Sequence, residues 1–155
     1  MKVAIGQDSH KFDFENKENK KLILAGVIFE KEPPLLANSD GDVVLHAITN
    51  AISGITTKNI LGRTTEKLIK EGVIDSKVYL KEAMKNLDEK ILHLSISIEC
   101  KTPKITPKID EMRTKISELL NLEETAIGIT ATSGEELTEF GKGNGINVFA
   151  CITTE

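Results

Sequence analysis

The segment Ile91–Glu99, which reads ILHLSISIE, restricts the fold of this chain more than any other feature. Apolar and polar residues alternate along it with a period of two, which is the pattern of a β-strand whose two faces meet different surroundings. The apolar set is Leu92, Leu94, Ile96 and Ile98, and the polar set is His93, Ser95, Ser97 and Glu99. The segment therefore predicts a sheet with one face covered by helices. The polar face is either solvated or covered by a partner, and we expect subunits to meet there.

Strands and helices alternate along the rest of the chain, and no internal repeat is visible. Hydrophobic periodicity and turn residues set the expected boundaries. The expected strands are Lys2–Asp8, the hairpin Lys21–Phe29 with Ala25-Gly26 near its turn, Ala126–Thr132 and Ile146–Thr153. The expected helices run from Ser39 to about Ser53 with a stop at Gly54, over Thr65–Glu71 and Ser76–Leu87, and from Thr106 to about Leu120. This order predicts a single domain over residues 1–155 of the α/β (α+β) class, in which a mixed four-stranded sheet carries helices on one face.

The composition disfavours several classes of partner. The formal net charge is −4 and the pI is about 5.5, which argues against binding to nucleic acid or to anionic membranes. No apolar run approaches the ~20 residues that span a bilayer, and the first residues lack the features of a signal or transit peptide. We therefore expect no nucleic-acid or membrane partner. The expected location is cytoplasmic, or a plastid-type stroma if a transit peptide was removed.

The two cysteines, Cys100 and Cys151, have no CxxC or CxxH spacing. This disfavours a thiolate zinc site, and we expect both to be free thiols in a reducing compartment.

Two of the three histidines lie near carboxylates in the sequence. In the phrase IGQDSH, Asp8 and His10 are two residues apart at the end of a strand, where both side chains point to the same side. His46, on the following helix, could supply a third ligand. One Asp and two His form a mixed oxygen and nitrogen set that suits Zn²⁺ and leaves a fourth position for substrate. The alternative is chance, because D-x-H is a short motif and a helical Asp/His pair is often a surface pair.

The helix that contains His46 has a broad apolar side and a narrow polar stripe. At 100° per residue the stripe is formed by Asp42, His46, Thr49, Asn50 and Ser53. Asp42 lies one turn before His46, so we expect it to orient a metal ligand or to contact the substrate.

A glycine-rich loop, ATSGEELTEFGKGNG, separates the last two strands. Its hydroxyls, backbone N–H groups and Lys142 could hold phosphate, and Glu135 could hold Mg²⁺. The alternative is a solvated hairpin loop. The segment CKTPKITPK is similarly either a basic binding loop or the start of a helix with ordinary surface lysines.

Taken in order, these phrases resemble the motifs of the 2-C-methyl-D-erythritol 2,4-cyclodiphosphate synthase family. IGQDSH matches G-x-D-x-H after a first strand, and NSDGDVVLHA matches H-S-D-G-D-V-x-x-H-A at the start of a helix. Pro103-Lys104 matches a P-K pair after a central strand, while ATSGEEL and GKGNG match A-T-T-T-E-x-L and G-R-G-E-G. The matches span nearly the whole chain at compatible spacing.

The resemblance implies a homotrimer whose sheets face the centre and whose active sites lie between subunits. It implies about one Zn²⁺ per chain on Asp8, His10 and His46, and Mg²⁺ or Mn²⁺ on Glu135. The implied substrate is 4-diphosphocytidyl-2-C-methyl-D-erythritol 2-phosphate, a cytidine diphosphate compound from which a phosphorus–oxygen lyase releases CMP. The implied catalytic residues are Asp42, Lys104, Ser133 and Glu135. The implied substrate-binding residues are Asn38, Ser39, Asp42, Gly62, Cys100, Pro103, Lys104, Ile105, Ala131, Thr132, Ser133 and Lys142. Of these, the segments from Cys100 to Ile105 and from Ala131 onward to Glu135 would serve the neighbouring subunit.

Several positions depart from the family pattern. Asn38 stands where the family has His, and Ile60 stands where it has an Asp that contacts ribose. TTEKLIKEG replaces the F-P-D-T-D-P substrate loop, and Ser133, Gly134 and Lys142 also differ. Three hypotheses follow from these departures: an active synthase with a remodelled pocket, a non-catalytic or altered-substrate zinc-binding trimeric homologue, and a generic phosphate- or nucleotide-binding module that holds no stoichiometric zinc.

Overall fold

The computed structural model describes all 155 residues, and its elements come in the expected order. The strands are β1 (Lys2–Lys11), β2 (Leu22–Leu24), β3 (Val27–Phe29), β4 (Ile91–Glu99), β5 (Ile127–Thr132) and β6 (Gly145–Thr154). The helices are α1 (Val43–Thr56), α2 (Arg63–Lys70), α3 (Ser76–Met84) and α4 (Ile109–Leu120), and the last follows a 3-10 turn at Thr106–Lys108. None of these helices is both long enough and apolar enough to cross a membrane.

Four strands form one mixed sheet in the order β1-β6-β4-β5, and β2 pairs with β3 in a separate hairpin. β4 and β5 are parallel, while β6 is antiparallel to both of its neighbours. The mixed four-stranded sheet is therefore confirmed. Asp8, Val148, Ile98 and Ala131 are register partners in one row across it. Consequently one edge of the sheet is formed by strand ends. It carries the last residues of β1, β4 and β5 and the first residues of β6.

The two faces of the sheet differ as the alternating pattern predicts. Side chains that point toward the helices are buried, among them Leu94, Ile96, Ile98, Ile146, Val148, Ala150 and Ile152. The opposite face carries the exposed Ser95 and Ser97 of β4. It also carries three exposed apolar side chains, Val3, Ile5 and Phe149. One face thus packs against the core, and the other presents a mixed polar and apolar surface.

The start of β4 departs from the expected alternation. Leu92, which the pattern places on the apolar side, is 37% exposed, whereas Ile91 is buried. The pairing of β4 with β6 shifts its register between Ile91 and His93. An irregularity of this kind adds a residue to one strand and turns the side chains before it to the opposite face. The burial of Ile91 in place of Leu92 is its result.

Helix α1 begins and ends later than the sequence predicts. Its N-cap is Asp42, whose carboxylate accepts a hydrogen bond of 3.1 Å from the Leu45 N–H, whereas the Ser39 hydroxyl accepts one from Gly41. The helix continues through Gly54 to Thr56. A Cβ at Gly54 would lie 2.9 Å from the Ala4 Cβ, so this glycine lets the helix pack on β1 and does not end it.

A second glycine fixes how closely β1 approaches α1. A Cβ at Gly6 would lie 2.1 Å from the Ala47 carbonyl oxygen and 2.2 Å from the Ala51 nitrogen. These contacts are backbone atoms in the middle of a buried helix, which has no room to move away. Gly6 therefore allows the backbone of β1 to lie directly against α1, two residues before Asp8.

Replacing Gly6 with Ala should lower the free energy of unfolding by about 3 kcal/mol, because overpacking at this contact forces strand and helix apart. The matched control is Gly128→Ala on β5, where an added Cβ meets no heavy atom within 4 Å. Urea unfolding followed by circular dichroism measures both. Equal stabilities for the two variants would contradict the importance of the close approach.

Candidate functional site

Asp8, His10 and His46 converge at the edge of the sheet near the end of β1. Asp8 and His10 are alternate residues of β1, so both point toward α1, and His46 lies in the first turns of that helix. Asp8 Oδ2 lies 2.9 Å from His10 Nε2 and 3.0 Å from His46 Nδ1. One donor atom from each of the three residues fits within 4.8 Å of the other two. The structure thus brings the three predicted metal ligands together.

The ring of His10 is oriented by the backbone. Its Nδ1 lies 3.1 Å from the Leu36 carbonyl oxygen, which can only accept a hydrogen bond. Its Nε2 is buried and close to Asp8, but the geometry is not aligned as a hydrogen bond and this atom has no hydrogen-bond partner. A metal-ligating imidazole has a buried ring nitrogen that lies near other ligand atoms and has no hydrogen-bond partner. His10 Nε2 has these properties.

The ring of His46 is held by a second side chain that sequence reasoning missed. His46 Nε2 lies 2.8 Å from the Ser76 hydroxyl, which in turn bonds to the Asp40 carboxylate. Ser76 was predicted only as the start of a helix. It lies 30 residues after His46 and 36 after Asp40, so no spacing in the sequence indicates the contact.

The cluster shifts the acidity of its members. Burial by itself raises the pKa of Asp8, but the close contacts and positive charge of His10 and His46 outweigh it and lower that pKa to about 2. Burial lowers the pKa of His10, while its contact with the Asp8 carboxylate raises it, and the net shift is upward. Asp8 is therefore ionised at every physiological pH and supplies the negative charge of the cluster.

The donor set fits a single small divalent cation. One carboxylate oxygen and two imidazole nitrogens are borderline to hard donors, and three protein ligands leave one position of a tetrahedron open. The buried, unpartnered Nε2 of His10 is the observation in this structure that supports this fit.

Asp42 lies outside this cluster, and its expected role toward a ligand or substrate stays a prediction. Its side chain is fully buried, and its oxygens accept hydrogen bonds of 2.8 Å from Ala25 N–H and 2.7 Å from Gly26 N–H as well as the one from Leu45. Burial raises the pKa of Asp42 to about 6, although the N–H donors oppose this. The helical wheel does not hold here because an N-cap residue lies before the first helical turn and turns its side chain onto the free N–H groups of that turn.

The neighbouring residues of the same phrase differ in accessibility. Ser39 is buried, and its hydroxyl is engaged by Gly41, so a substrate contact through its side chain is not supported. Asn38 is exposed. Gly62, another expected contact, is exposed at the N-terminus of α2 with a φ of 137°.

A cavity of about 350 Å³ brings two predicted binding segments together at the ends of β4 and β5. Its lining includes Cys100, Pro103, Lys104 and Ile105 from one segment and Ala131, Thr132 and Ser133 from the other. Burial raises the pKa of the Cys100 thiol to about 12, so this residue stays protonated and contributes surface rather than a nucleophile. Both cysteines are free, as expected.

The glycine-rich loop continues directly from this cavity. The Ser133 hydroxyl accepts a hydrogen bond of 3.3 Å from Glu135 N–H, and Glu135 has a φ of 48°. The loop is tied to β4 by a 2.9 Å bond from the Thr138 hydroxyl to the Glu99 carboxylate. Lys142 forms an ion pair of 3.1 Å with Glu139. Glu135 is thus presented beside Ser133 with an exposed carboxylate.

The cluster and the cavity lie at the same edge of the sheet, which is formed by strand ends, but on different strands: the cluster is at β1, and the cavity is at β4 and β5. The row that joins Asp8 to Ala131 crosses three strand spacings, a distance of roughly 14 Å. Within one chain, therefore, the two halves of the site are held apart.

The fold and the site define an α+β protein with a candidate metal centre and a ligand cavity at one edge of a mixed sheet. The chain belongs to the YgbB family, whose family model matches residues 1–155. It is 50% identical to the 2-C-methyl-D-erythritol 2,4-cyclodiphosphate synthase of Chlamydia muridarum over 155 residues, which cover 98% of this chain and 86% of that protein. The family membership that the motifs indicated is confirmed.

Solved structures of similar proteins share the fold. The bifunctional IspDF from Campylobacter jejuni superposes with a TM-score of 0.86 at 30% identity, over 97% of this chain and 41% of that one. A 2C-methyl-D-erythritol-2,4-cyclodiphosphate synthase in its CDP-bound form superposes with a TM-score of 0.84 at 26% identity, over 99% of this chain and all of that one.

Proposed function

We propose that this chain is an enzyme that converts 4-diphosphocytidyl-2-C-methyl-D-erythritol 2-phosphate to 2-C-methyl-D-erythritol 2,4-cyclodiphosphate and releases CMP, a step of the non-mevalonate pathway to isoprenoid precursors. The observation that carries the proposal is the convergence of Asp8, His10 and His46 in a chain half identical to enzymes of that name. The reaction is a phosphorus–oxygen lyase reaction. An oxygen of the 2-phosphate forms a bond to the β-phosphorus, the bond from that phosphorus to the bridging oxygen breaks, and CMP leaves with that oxygen.

The metal ligands of the proposed site are Asp8, His10 and His46 for about one Zn²⁺ per chain, and Glu135 for Mg²⁺ or Mn²⁺. When bound, these ions withdraw negative charge from the diphosphate and thereby ease attack by a second phosphate. Asp8 keeps its negative charge. His10 Nε2 and His46 Nδ1, the nitrogens that would bind the metal, both face it. The exposed carboxylate of Glu135 lies beside the cavity, where the phosphates of a bound nucleotide would enter.

The cavity at the ends of β4 and β5 is the proposed nucleotide pocket. Its apolar lining from Cys100, Pro103, Ile105 and Ala131 suits a base. Lys104 and the hydroxyls of Thr132 and Ser133 are suited to phosphate oxygens and to holding the leaving CMP in line. The CDP-bound form of a structural neighbour supports a cytidine diphosphate ligand.

The proposed assembly is a homotrimer in which the open faces of the three sheets meet at the centre. Three exposed apolar side chains on that face, Val3, Ile5 and Phe149, support an interface there. The distance between cluster and cavity within one chain supports active sites that pair the cluster of one subunit with the cavity of the next.

Three departures from the family pattern lie around this site. Asn38 is exposed, so it is available to a phosphate. Ile60 is buried in the core and offers no polar contact to a ribose. The segment TTEKLIKEG, which replaces the substrate loop, lies mostly within α2 (Arg63–Lys70). These departures reduce polar contacts to substrate while leaving the proposed metal centre intact.

The first test concerns the metal. Protein purified without added metal should contain about one zinc per chain by elemental analysis, and His46→Ala should reduce it to below about a tenth, since two protein ligands hold zinc poorly. The control is His93→Ala, which replaces an exposed histidine of β4. Full zinc retention in His46→Ala, with folding verified by circular dichroism, would refute the assignment.

The second test concerns assembly. Light scattering at micromolar concentration should give the mass of three chains, about three times 17.0 kDa. Ile5→Glu, which places a charge in the proposed interface, should lower that mass. A wild-type monomer that still releases CMP would show that the active site does not need a neighbour.

The third test concerns activity and Asn38. The zinc-loaded wild type should release CMP from the proposed substrate in the presence of Mg²⁺. A neutral amide donates a hydrogen bond roughly half as strong as a charged imidazolium does, so Asn38→His should raise kcat/KM by about tenfold. Asn38→Ala is the matched control and should lower it.

The synthase hypothesis is rejected if neither the wild type nor Asn38→His releases CMP while both are trimeric and zinc-loaded. The same result would favour the non-catalytic or altered-substrate homologue.

A further inference from the structure

We propose that Ser76 and Asp40 are positioning residues that fix the tautomer and the ring orientation of His46, so that its Nδ1 is presented to the metal. The inference rests on the metal centre of the proposed function and extends it to two residues outside the ligand set. The three residues form a chain from a half-buried carboxylate to a buried hydroxyl and a buried imidazole, which we call the Asp40–Ser76–His46 relay.

The hydroxyl and the imidazole of the relay are shielded from water. Ser76 is fully buried and His46 nearly so. His46 Nε2 lies 2.8 Å from Ser76 Oγ, and Ser76 Oγ bonds to Asp40 Oδ1. In such surroundings a polar group without a partner is unfavourable, so each of these bonds constrains its neighbour.

The direction of the bonds follows from the donors available. A serine hydroxyl has one hydrogen, and an ionised carboxylate can only accept. The Ser76 hydrogen therefore goes to Asp40, and Ser76 Oγ must accept a hydrogen from His46 Nε2. With a metal bound, the imidazole is neutral and carries one N–H, so Nδ1 bears the lone pair that would face the metal. That atom lies 3.0 Å from Asp8 Oδ2, inside the cluster.

Asp40 is itself held by the backbone. Its Oδ2 accepts a 3.0 Å bond from Ser76 N–H, its Oδ1 accepts a 3.1 Å bond from Asp42 N–H, and its own N–H donates to the Ile74 carbonyl at 2.9 Å. The carboxylate thus joins the segment before α1 to the start of α3. Because both ends are anchored, the Ser76 hydroxyl has one low-energy direction.

Helix capping does not account for the Ser76 hydroxyl. A serine at a helix start usually acts as the N-cap, but the N-cap of α3 is Asp75, whose carboxylate accepts a 2.9 Å bond from Lys77 N–H. Ser76 is the first residue inside the helix, and the hydrogen bonds of its hydroxyl connect His46 with Asp40. Its side chain therefore serves the imidazole and its anchor rather than the helix end.

The relay makes a quantitative prediction for metal binding. Ser76→Ala leaves His46 Nε2–H without an acceptor, so the ring can adopt the other tautomer or rotate. Loss of a partner that orients a ligating histidine typically weakens metal binding by 10–100-fold, and we expect a zinc dissociation constant weaker by about that factor. Asp40→Asn should give a loss in the same direction, because the amide has one acceptor oxygen where the carboxylate has two.

The experiment compares wild type, Ser76→Ala, Asp40→Asn and a control, Ser53→Ala. Ser53 is a buried serine two turns after His46 on α1, and its hydroxyl has no hydrogen-bond partner, so its removal breaks no bond. Zinc affinity is measured by competition with a chromophoric chelator. The ring nitrogen through which His46 binds zinc, and hence its tautomer, is read in zinc-saturated protein by nitrogen-15 NMR of the imidazole rings, with the signals assigned from His46→Gln.

In both the wild type and Ser53→Ala, His46 should be in the Nε2–H form. The two proteins should bind zinc with equal affinity. Ser76→Ala should show mixed tautomers and zinc binding weaker by 10–100-fold. Should Ser76→Ala fail to fold, Asp40→Asn is the second variant, and its zinc binding should also be weaker than that of the wild type. Equal zinc affinity and an unchanged tautomer in the folded variants would overturn the relay and leave the metal centre standing. A wild type that binds no zinc would overturn the metal centre and the relay with it.

Discussion

The close approach between β1 and α1 is the constraint on which the rest of the structure depends. It exists because Gly6 has no side chain to hold the strand away from Ala47 and Ala51. The same contact sets the distance between Asp8 and His46, because Asp8 lies two residues after Gly6 and His46 one residue before Ala47. The packing of β1 on α1 and the arrangement of the candidate metal ligands therefore depend on the same contact, and both require that residue 6 has no side chain.

Most of the architecture could be predicted from the sequence because hydrophobic periodicity reports burial directly. The strand Ile91–Glu99 has the predicted bounds, and the hairpin turn lies at Ala25-Gly26. Errors arose where a local rule was overridden by tertiary packing. Gly54 was expected to end a helix, but it stays inside α1 because it packs on Ala4. Leu92 was expected to be buried, but a register shift that no pattern encodes turns it outward.

The candidate site could be predicted only as far as its residues share short motifs. Asp8, His10 and His46 were found because carboxylate and imidazole recur together, and the structure brings them into one cluster. Asp42 was assigned to the site by helical periodicity, which does not hold at an N-cap. Ser76 and Asp40 were missed because the chain brings them to His46 only through the packing of α3 against α1. Contacts of this kind leave no trace in sequence spacing.

The buried carboxylate of Asp42 has a consequence for how the protein opens. It joins the turn between β2 and β3 to the first turn of α1 through three N–H groups. An isolated two-stranded hairpin is marginally stable at best in water, so this one depends on the helix that it touches. The amides of Ala25 and Gly26 can exchange their hydrogens with solvent only when the start of α1 comes apart as well. Hairpin and helix therefore form one cooperative unit of local unfolding, although they belong to different layers of the fold.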